Sequence, residues 1–358
     1  MKLISVRHGS EKVLTHKARQ VIISPWKIIE NGHISVLNDI IVDISSGKPS
    51  FNTRIIDHGE GILMPALVNS HVHFELSALK KKVPFDKGFN GWVRELLRER
   101  EQCSIDMLCK EARKAMDIAA ATGTLLAGEI STLGITKDLF ENSDIGGVWF
   151  HEYLGREEYC KLSPLINSSY SKTVCPDMSI TQEMSIAQEI ATTQEIVTTK
   201  ENVMTKNIVT GKDILPTKMF SIAGHAPHTT SPELLKKLKY ESKSANLPFS
   251  IHVAESCDEM EFICSGKGNW SLFLKERSID FSSWPIPSRS PVQYLKDLDL
   301  LDHLTIAVHL LNIDNEDIEI ILKTDTKPVF CPRSNFNIHK NLPDIPLFRF
   351  QCPTEIYT

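Results

Sequence analysis

The hydrophobic pattern of this chain changes character partway along it. Residues 20 to 65 are rich in β-branched residues broken by short turns. Within them, Ile28-Ile29-Glu30-Asn31-Gly32-His33-Ile34 sets an Asn-Gly pair between two apolar runs. That is a hairpin signal, and the region reads as a small β meander. From Ile62 onward short apolar runs alternate with longer stretches of helical period. Such alternation predicts parallel βαβ units. Seven strands are predicted, over 62–68, 124–130, 148–153, 220–223, 249–253, 305–308 and 328–330. Helices are predicted at 91–101, 104–121 and 231–244, the last opened by Ser231-Pro232-Glu233, which puts proline just inside a helix start. Seven βα units do not close a barrel, because the first and last strands keep an unpaired edge.

Between the third and fourth predicted strands the chain runs MSITQE, MSIAQE, IATTQE, IVTTKE, NVMTKN, IVTGKD, from Met178 to Asp213. A period of six does not fit the 3.6-residue helix but is compatible with the two-residue alternation of a strand. It reads either as a binding arm or short solenoid, or as an expansion tolerated in a surface loop, where extra length costs little closure entropy. The second reading is the simpler. The domain plan is a small β portion over 1–61, a barrel over 62–348 carrying the hexad insert at 178–213, and an atypical tail over 349–358.

Length and composition narrow the function classes. The chain has 358 residues, room for one large α/β barrel, with 41% hydrophobic and 24% charged residues. A formal net charge of −5 with no large basic block argues against nucleic acid and anionic membrane as partners, and fits a neutral or polar small molecule. The segment Met1 to His8 has neither a sustained apolar core nor a small-residue cleavage site, so no signal peptide is read. No window reaches the roughly 18 apolar residues of a membrane span. The eight cysteines, among them Cys103, Cys109, Cys175, Cys257, Cys264 and Cys331, form no CxxC pair. They read as reduced thiols of a cytoplasmic protein.

Four motifs stand at the C-terminal ends of predicted strands, the face on which a (β/α)8 barrel collects its chemistry. In His71-Val72-His73 the two imidazoles are two residues apart, so a strand presents both to one ion. A lone His-x-His is weak evidence; its place directly after an apolar strand strengthens it. In His252-Val253-Ala254-Glu255 the histidine is a candidate third ligand. The carboxylate three residues on could take a proton from water and hand it to a leaving amine. Taken alone, Glu255 would read as an acidic helix start. His309 ends the sixth strand, and by itself reads as a satisfied, partly buried histidine. Gly224-His225-Ala226-Pro227-His228 closes the fourth strand, with His225 placed to contact a substrate and His228 less plainly so.

In this order the motifs resemble the amidohydrolase superfamily, in particular its aminohydrolase branch of adenosylhomocysteine, guanine and aminodeoxyfutalosine deaminases and triazine chlorohydrolases. The matching stretches are LMPALVNSHVHFELSAL, GFNGWVRELLRER, GHAPHTTSPELL, IHVAES and VFCPRSN, spread over roughly residues 20 to 345 apart from the insert. The first two look most like the aminodeoxyfutalosine type. The resemblance implies an α/β, (β/α)8 TIM-type barrel, incomplete with seven strands visible, beside a small N-terminal β domain. It implies that His71, His73 and His252 hold one divalent ion, zinc or iron, that Glu255 shuttles the proton, and that His309 orients the attacking water. His225 and Trp92 would bind a purine-like substrate such as aminodeoxyfutalosine or an adenosine derivative, which is deaminated. Residues 220–223 lack the lysine that bridges two metals in other members, which implies a single ion. Homodimers are common in the family, so the resemblance allows a homodimer, though nothing in these residues sets an oligomeric state.

The family pattern also requires an aspartate ending an eighth strand, in a Gly-Thr-Asp-Ser-type segment. Here the chain runs Asn341-Leu342-Pro343-Asp344-Ile345-Pro346-Leu347-Phe348 and then RFQCPTEIYT. Asp344 precedes the place for an eighth strand and is not assigned that role. The expectation is a C-terminally truncated chain that folds poorly and turns over little. An inactive remnant or metal-binding scaffold is the second reading. Hydrolysis of a ring chloride or a cyclic amide on the same site is the third.

Overall fold

The computed structural model describes residues 13–38, 40–49, 53–155 and 217–344; the hexad insert and the tail lie outside the described residues. Backbone contacts divide these into two compact units, one ending at Leu67 and one beginning at Val68.

The first unit is built from two small sheets. β1 (Leu14–Lys17), β4 (Gly32–Leu37), β5 (Ile40–Ser46) and β6 (Arg54–Asp57) lie in the order β5-β4-β1-β6, while β2 (Gln20–Ser24), β3 (Lys27–Glu30) and β7 (Ile62–Leu63) lie in the order β3-β2-β7. The Asn31-Gly32 pair turns the chain, with Asn31 at φ 48°, but it closes no hairpin: β3 pairs with β2, and β4 pairs with β1 and β5. The turn instead hands the chain from one sheet to the other. Its backbone groups are met by the corner after β1, where Asn31 N–H donates to Arg19 O (2.6 Å) and Ala18 N–H donates to Gly32 O (3.0 Å). A Cβ on residue 32 would stand 2.8 Å from Val21 Cγ2, so the close passage of the sheets selects glycine there.

The second unit holds a seven-stranded sheet whose strands lie in chain order: β8 (Leu67–Val72), β9 (Thr124–Ser131), β10 (Gly146–Tyr153), β11 (Lys218–Gly224), β12 (Phe249–Val253), β13 (Thr305–His309) and β14 (Lys327–Val329). Registers from β9 through β14 are parallel, so the described residues supply seven strands of a (β/α)8-type wall. The run predicted as one strand over 62–68 is two. Ile62–Leu63 pairs with β2 in the small unit, and Leu67–Val72 opens the barrel sheet. Pro65 between them has no N–H for a ladder, which explains the break.

Among the described residues the α-helices are α1 (Gly88–Glu101), α2 (Ile105–Ala121), α3 (Lys137–Glu141), α4 (Pro232–Ser244), α5 (Cys257–Ser265), α6 (Gly268–Glu276), α7 (Pro291–Asp297), α8 (Asn315–Lys323) and α9 (Pro332–His339). α1, α2 and α4 sit where the periodicity predicts them, and the side chains of Ser104 and Ser231 cap the last two. The others are too short for their period to be read, although Ser256, Ser290 and Asp314 mark three of their starts. The main core lies between the outer faces of β11 to β13 and the helices, where Leu234, Leu238, Phe249, Ile251, Val253 and Phe262 are fully buried. Five cysteines are free among the described residues, and no described helix is long and apolar enough to cross a membrane.

Candidate functional site

At the C-terminal edge of the barrel sheet three imidazoles converge. β8 delivers His71 and, one residue past its end, His73; β12 delivers His252. The Nε2 atom of His252 stands 3.1 Å from that of His71 and 3.4 Å from that of His73. The ring of His252 is fixed from behind, since its backbone N–H (3.0 Å) and its Nδ1 (2.5 Å) both meet the carbonyl of His225. Nδ1 is therefore the protonated nitrogen, and Nε2 turns a lone pair toward the other two rings. Burial, reinforced by the neighbouring imidazoles, holds His71 and His73 well below the ordinary histidine pKa. Burial also brings His252 down to about 4, against the pull of Glu152. Neutral rings with lone pairs meeting at this distance repel one another unless a cation accepts them, and the three ligand atoms lie within 4.8 Å. The residues fit a divalent ion.

Glu255 leaves the sheet three residues after His252 and lies between two further histidines. Its Oε1 is 3.5 Å from His309 Nε2 and 3.5 Å from His339 Nε2. Burial pushes its carboxyl up, but the facing His309, His339 and His252 outweigh this and hold it below the usual carboxylate range. His309 is oriented in turn by Asn335, whose Nδ2 donates to His309 Nδ1 at 3.2 Å, leaving the Nε2 proton for the Glu255 side. His309 has a left-handed backbone, at φ 78°, where a side chain costs about 1–3 kcal/mol. A non-glycine residue kept in that region aims its ring where an ordinary strand end would not.

His225 follows β11 directly. Its Nδ1 meets Thr229 Oγ1 at 2.7 Å, its ring lies 4.9 Å from that of His252, and burial lowers it to about 4. His228 is buried; its Nδ1 is 3.8 Å from Glu259 Oε1, and its carbonyl accepts Trp270 Nε1–H at 2.6 Å. Trp92 lies on α1, partly buried against the main core, with its ring 6.2 Å from that of Phe89. Phe89 in turn stands 5.2 Å from His339. The lysine of β11, Lys218, is at the opposite end of the strand, donating to the carbonyls of Glu141 and Ser143.

Two buried acids fix the turn that carries His73. Glu129 of β9 accepts the Phe74 N–H at 2.9 Å and the Thr136 hydroxyl at 2.8 Å. Glu75 accepts from the Ser131 hydroxyl (2.6 Å) and the Thr132 N–H (2.9 Å). Burial raises both carboxyls, Glu129 the more. β8 also runs so close to β9 that a Cβ on Gly128 would meet Ser70 O at 2.2 Å. These acids, Asn335, His339 and Glu259 are absent from the sequence reading. Asn335 lies inside the VFCPRSN stretch, and Glu259 is one helical turn beyond Glu255, so both carried a local signal. His339, 84 residues after Glu255 and outside every motif, carried none.

No family model matches the chain. A 5-methylthioadenosine/S-adenosylhomocysteine deaminase of Carboxydothermus hydrogenoformans is 32% identical over 118 residues, 33% of this chain and 23% of that protein. A 5'-deoxyadenosine deaminase of Methanopyrus kandleri is 24% identical over 347 residues, 91% of this chain and 64% of that protein. The chain is similar in sequence to proteins named as nucleoside deaminases. Solved structures agree on the fold. Helicobacter pylori aminofutalosine deaminase in complex with methylthio-coformycin gives a TM-score of 0.67 at 19% identity, covering 95% of this chain and 74% of that one. An adenosine deaminase of Xanthomonas campestris with bound zinc gives 0.60 at 15% identity, covering 94% and 66%. The chain thus spans less than two thirds of the first of these sequence relatives, and of the Methanopyrus protein as well.

Proposed function

We propose that this chain is a metal-dependent aminohydrolase that removes ammonia from a purine-like nucleoside by hydrolysis, using one divalent ion, zinc or iron. The observation that carries the reading is the conjunction of three converging neutral imidazoles with an ionised carboxylate, Glu255, placed between His309 and His339. The deaminase names of the sequence relatives and the zinc of the Xanthomonas structure point the same way. The absence of a lysine at the site end of β11 supports a single ion.

His71, His73 and His252 would hold the divalent ion, which would supply the Lewis acidity that makes a water molecule a usable nucleophile near neutral pH. Glu255, kept ionised, accepts the proton of the attacking water and returns it to the departing amine. His309, with its Nε2 proton turned to the Glu255 side by Asn335, directs the water lone pair. His225 faces the ring of the substrate, its tautomer set by Thr229. Trp92 and the neighbouring Phe89 close the apolar side of the binding region.

The test is ammonia release by the zinc-loaded chain from 5'-deoxyadenosine, 5'-methylthioadenosine, S-adenosylhomocysteine and aminodeoxyfutalosine. Turnover of at least one, reduced about a hundredfold to ten-thousandfold by Glu255→Gln with zinc content unchanged, is the expected result. Zinc binding without ammonia from any of the four would overturn the reading in favour of a binding scaffold, and chloride release from a chlorotriazine would move it to the dehalogenating chemistry.

A further inference from the structure

Glu259 takes no part in the chemistry just described, yet it is a fully buried carboxylate eight residues or fewer from every group of the shuttle turn. Its two oxygens are spent on two consecutive peptide groups. Oε1 accepts the Ala254 N–H at 3.0 Å, and Oε2 accepts the Glu255 N–H at 2.8 Å. Between them Ala254 holds a left-handed backbone, at φ 52°, a conformation an alanine adopts only under constraint. The carbonyl of the same residue is gripped from the other side. Leu311 N–H (3.1 Å), Asn312 N–H (2.9 Å) and the Asn312 side-chain Nδ2 (3.2 Å) all donate to Ala254 O. The chain that supplies these donors is the one that has just left His309.

We infer that Glu259 and Asn312 are positioning residues that hold the Ala254 peptide from its two sides and thereby set the Glu255 carboxylate against His309. A helix start needs no such device. Ser256 already caps α5 through the Glu259 N–H at 3.1 Å, so the Glu259 side chain is surplus to helix formation. What it adds is a fixed direction for the residue between strand and helix. Each of its oxygens meets one peptide N–H, and removing a buried acceptor leaves that donor unpaired. The Ala254 peptide lies beyond the Leu310 N–H to Val253 O bond (3.0 Å) that ends the pairing of the two strands, so a loosened Ala254 shifts Glu255 and leaves the histidine ligands in place.

This inference rests on the proposed aminohydrolase reading, and the test separates the two. Glu259→Gln keeps the shape but turns an NH2 toward one of the two N–H donors, so one bond is lost. In the zinc-loaded full chain with 5'-deoxyadenosine, kcat is expected to fall about tenfold to a hundredfold, the scale of a 1 Å misplacement, with KM within about twofold and zinc content unchanged. Asn312→Ala gives a smaller fall of the same kind. Hydrogen exchange of the amides of Ala254 and Glu255, read in the peptides spanning α5, speeds up in both. Unchanged kcat and exchange in Glu259→Gln would overturn the inference. So would a loss of kcat that only tracks lost zinc or lost folded protein. If Glu259→Gln fails to fold, Asn312→Ala decides. If the wild type deaminates none of the nucleosides, the aminohydrolase reading has failed on its own, and the exchange measurement alone settles whether the two side chains hold the turn.

Discussion

β12 and β8 contribute to the same three-histidine cluster, but they are held in place by different physics. All five residues of β12 are buried. Phe249, Ile251 and Val253 pack into the main core, so the direction of His252 follows from apolar packing on the other face of its strand. β8 has no such bed: Leu67 to Asn69 are exposed and Ser70 to Val72 only half-buried. What aims His71 and His73 is polar, the Glu129 and Glu75 carboxylates on the turn after the strand and the close backbone approach at Gly128. Where a strand lies inside the sheet, hydrophobic burial is enough to place a ligand. At the sheet's edge, hydrogen bonds to buried acids take over.

Removing a ligand on either side should have the largest effect and the least power to separate the two mechanisms. His252→Ala and His71→Ala each leave two imidazoles, and zinc affinity should fall by more than the ten- to hundredfold typical of losing an outer partner of a ligand. Competition with a chromogenic chelator measures it, and wild-type affinity in either variant would dissolve the cluster. Packing changes separate the strands more sharply. Ile251→Ala in β12 should cost about 2–5 kcal/mol in urea unfolding while zinc affinity stays near wild type, because the cavity lies on the face away from His252. Comparable in size is Glu129→Ala. It leaves the Phe74 N–H and the Thr136 hydroxyl without their acceptor and should cost about 1–3 kcal/mol per stranded group. Unlike Ile251→Ala it should also weaken zinc, by about tenfold or more, because it frees the turn holding His73. Equal zinc affinity in these two variants would erase the contrast between edge and interior.

This contrast also explains what could be read from residues alone. β12 was legible to the residue, since Phe249, Ile251 and Val253 alternate with Ser250 and His252 between Pro248 and Ala254-Glu255. β8 was not. Its apolar run continues from Ile62, and only the pairing of Ile62–Leu63 with β2 reveals that two strands lie there. The Asn31-Gly32 turn was recognised, but its partner strands depend on two sheets that no local pattern encodes. Among the site residues, those on strand ends followed from periodicity, because His71, His73, His252 and His309 each close an apolar run. His339 reaches Glu255 only because α9 folds back across the sheet ends, a tertiary fact with no local trace. Glu75 lay inside the HVHFELSAL stretch and so carried a local signal, but Glu129 looked like an ordinary polar residue, since burial of an acid cannot be seen before the fold exists.

The smallest effect is also the most discriminating, because the acid that holds the edge strand and a base further inside the sheet carry opposite signs in pH. Burial, against the donors Phe74 N–H and Thr136 and with the help of Glu75, holds Glu129 well above the ordinary carboxylate range. In acid both folded and unfolded chains carry that proton. As the pH rises past 4.5 the unfolded carboxyl ionises first, so the folded state binds more protons and stability falls with rising pH. His151, on β10 inside the sheet, goes the other way. Burial, then Lys137, brings it from 6.5 to about 4, so between those values the unfolded imidazole charges while the folded one does not, and stability falls with falling pH. Glu129→Gln can keep both partners, with its carbonyl accepting from Phe74 N–H and its NH2 donating to Thr136 Oγ1. Its urea midpoint should therefore match wild type near pH 4 and exceed it progressively toward pH 8. His151→Gln should instead gain on wild type as the pH is lowered from 6.5 to 4. Parallel offsets at every pH in both variants would mean that neither group is linked to folding through its proton, and that the edge acids act through shape alone.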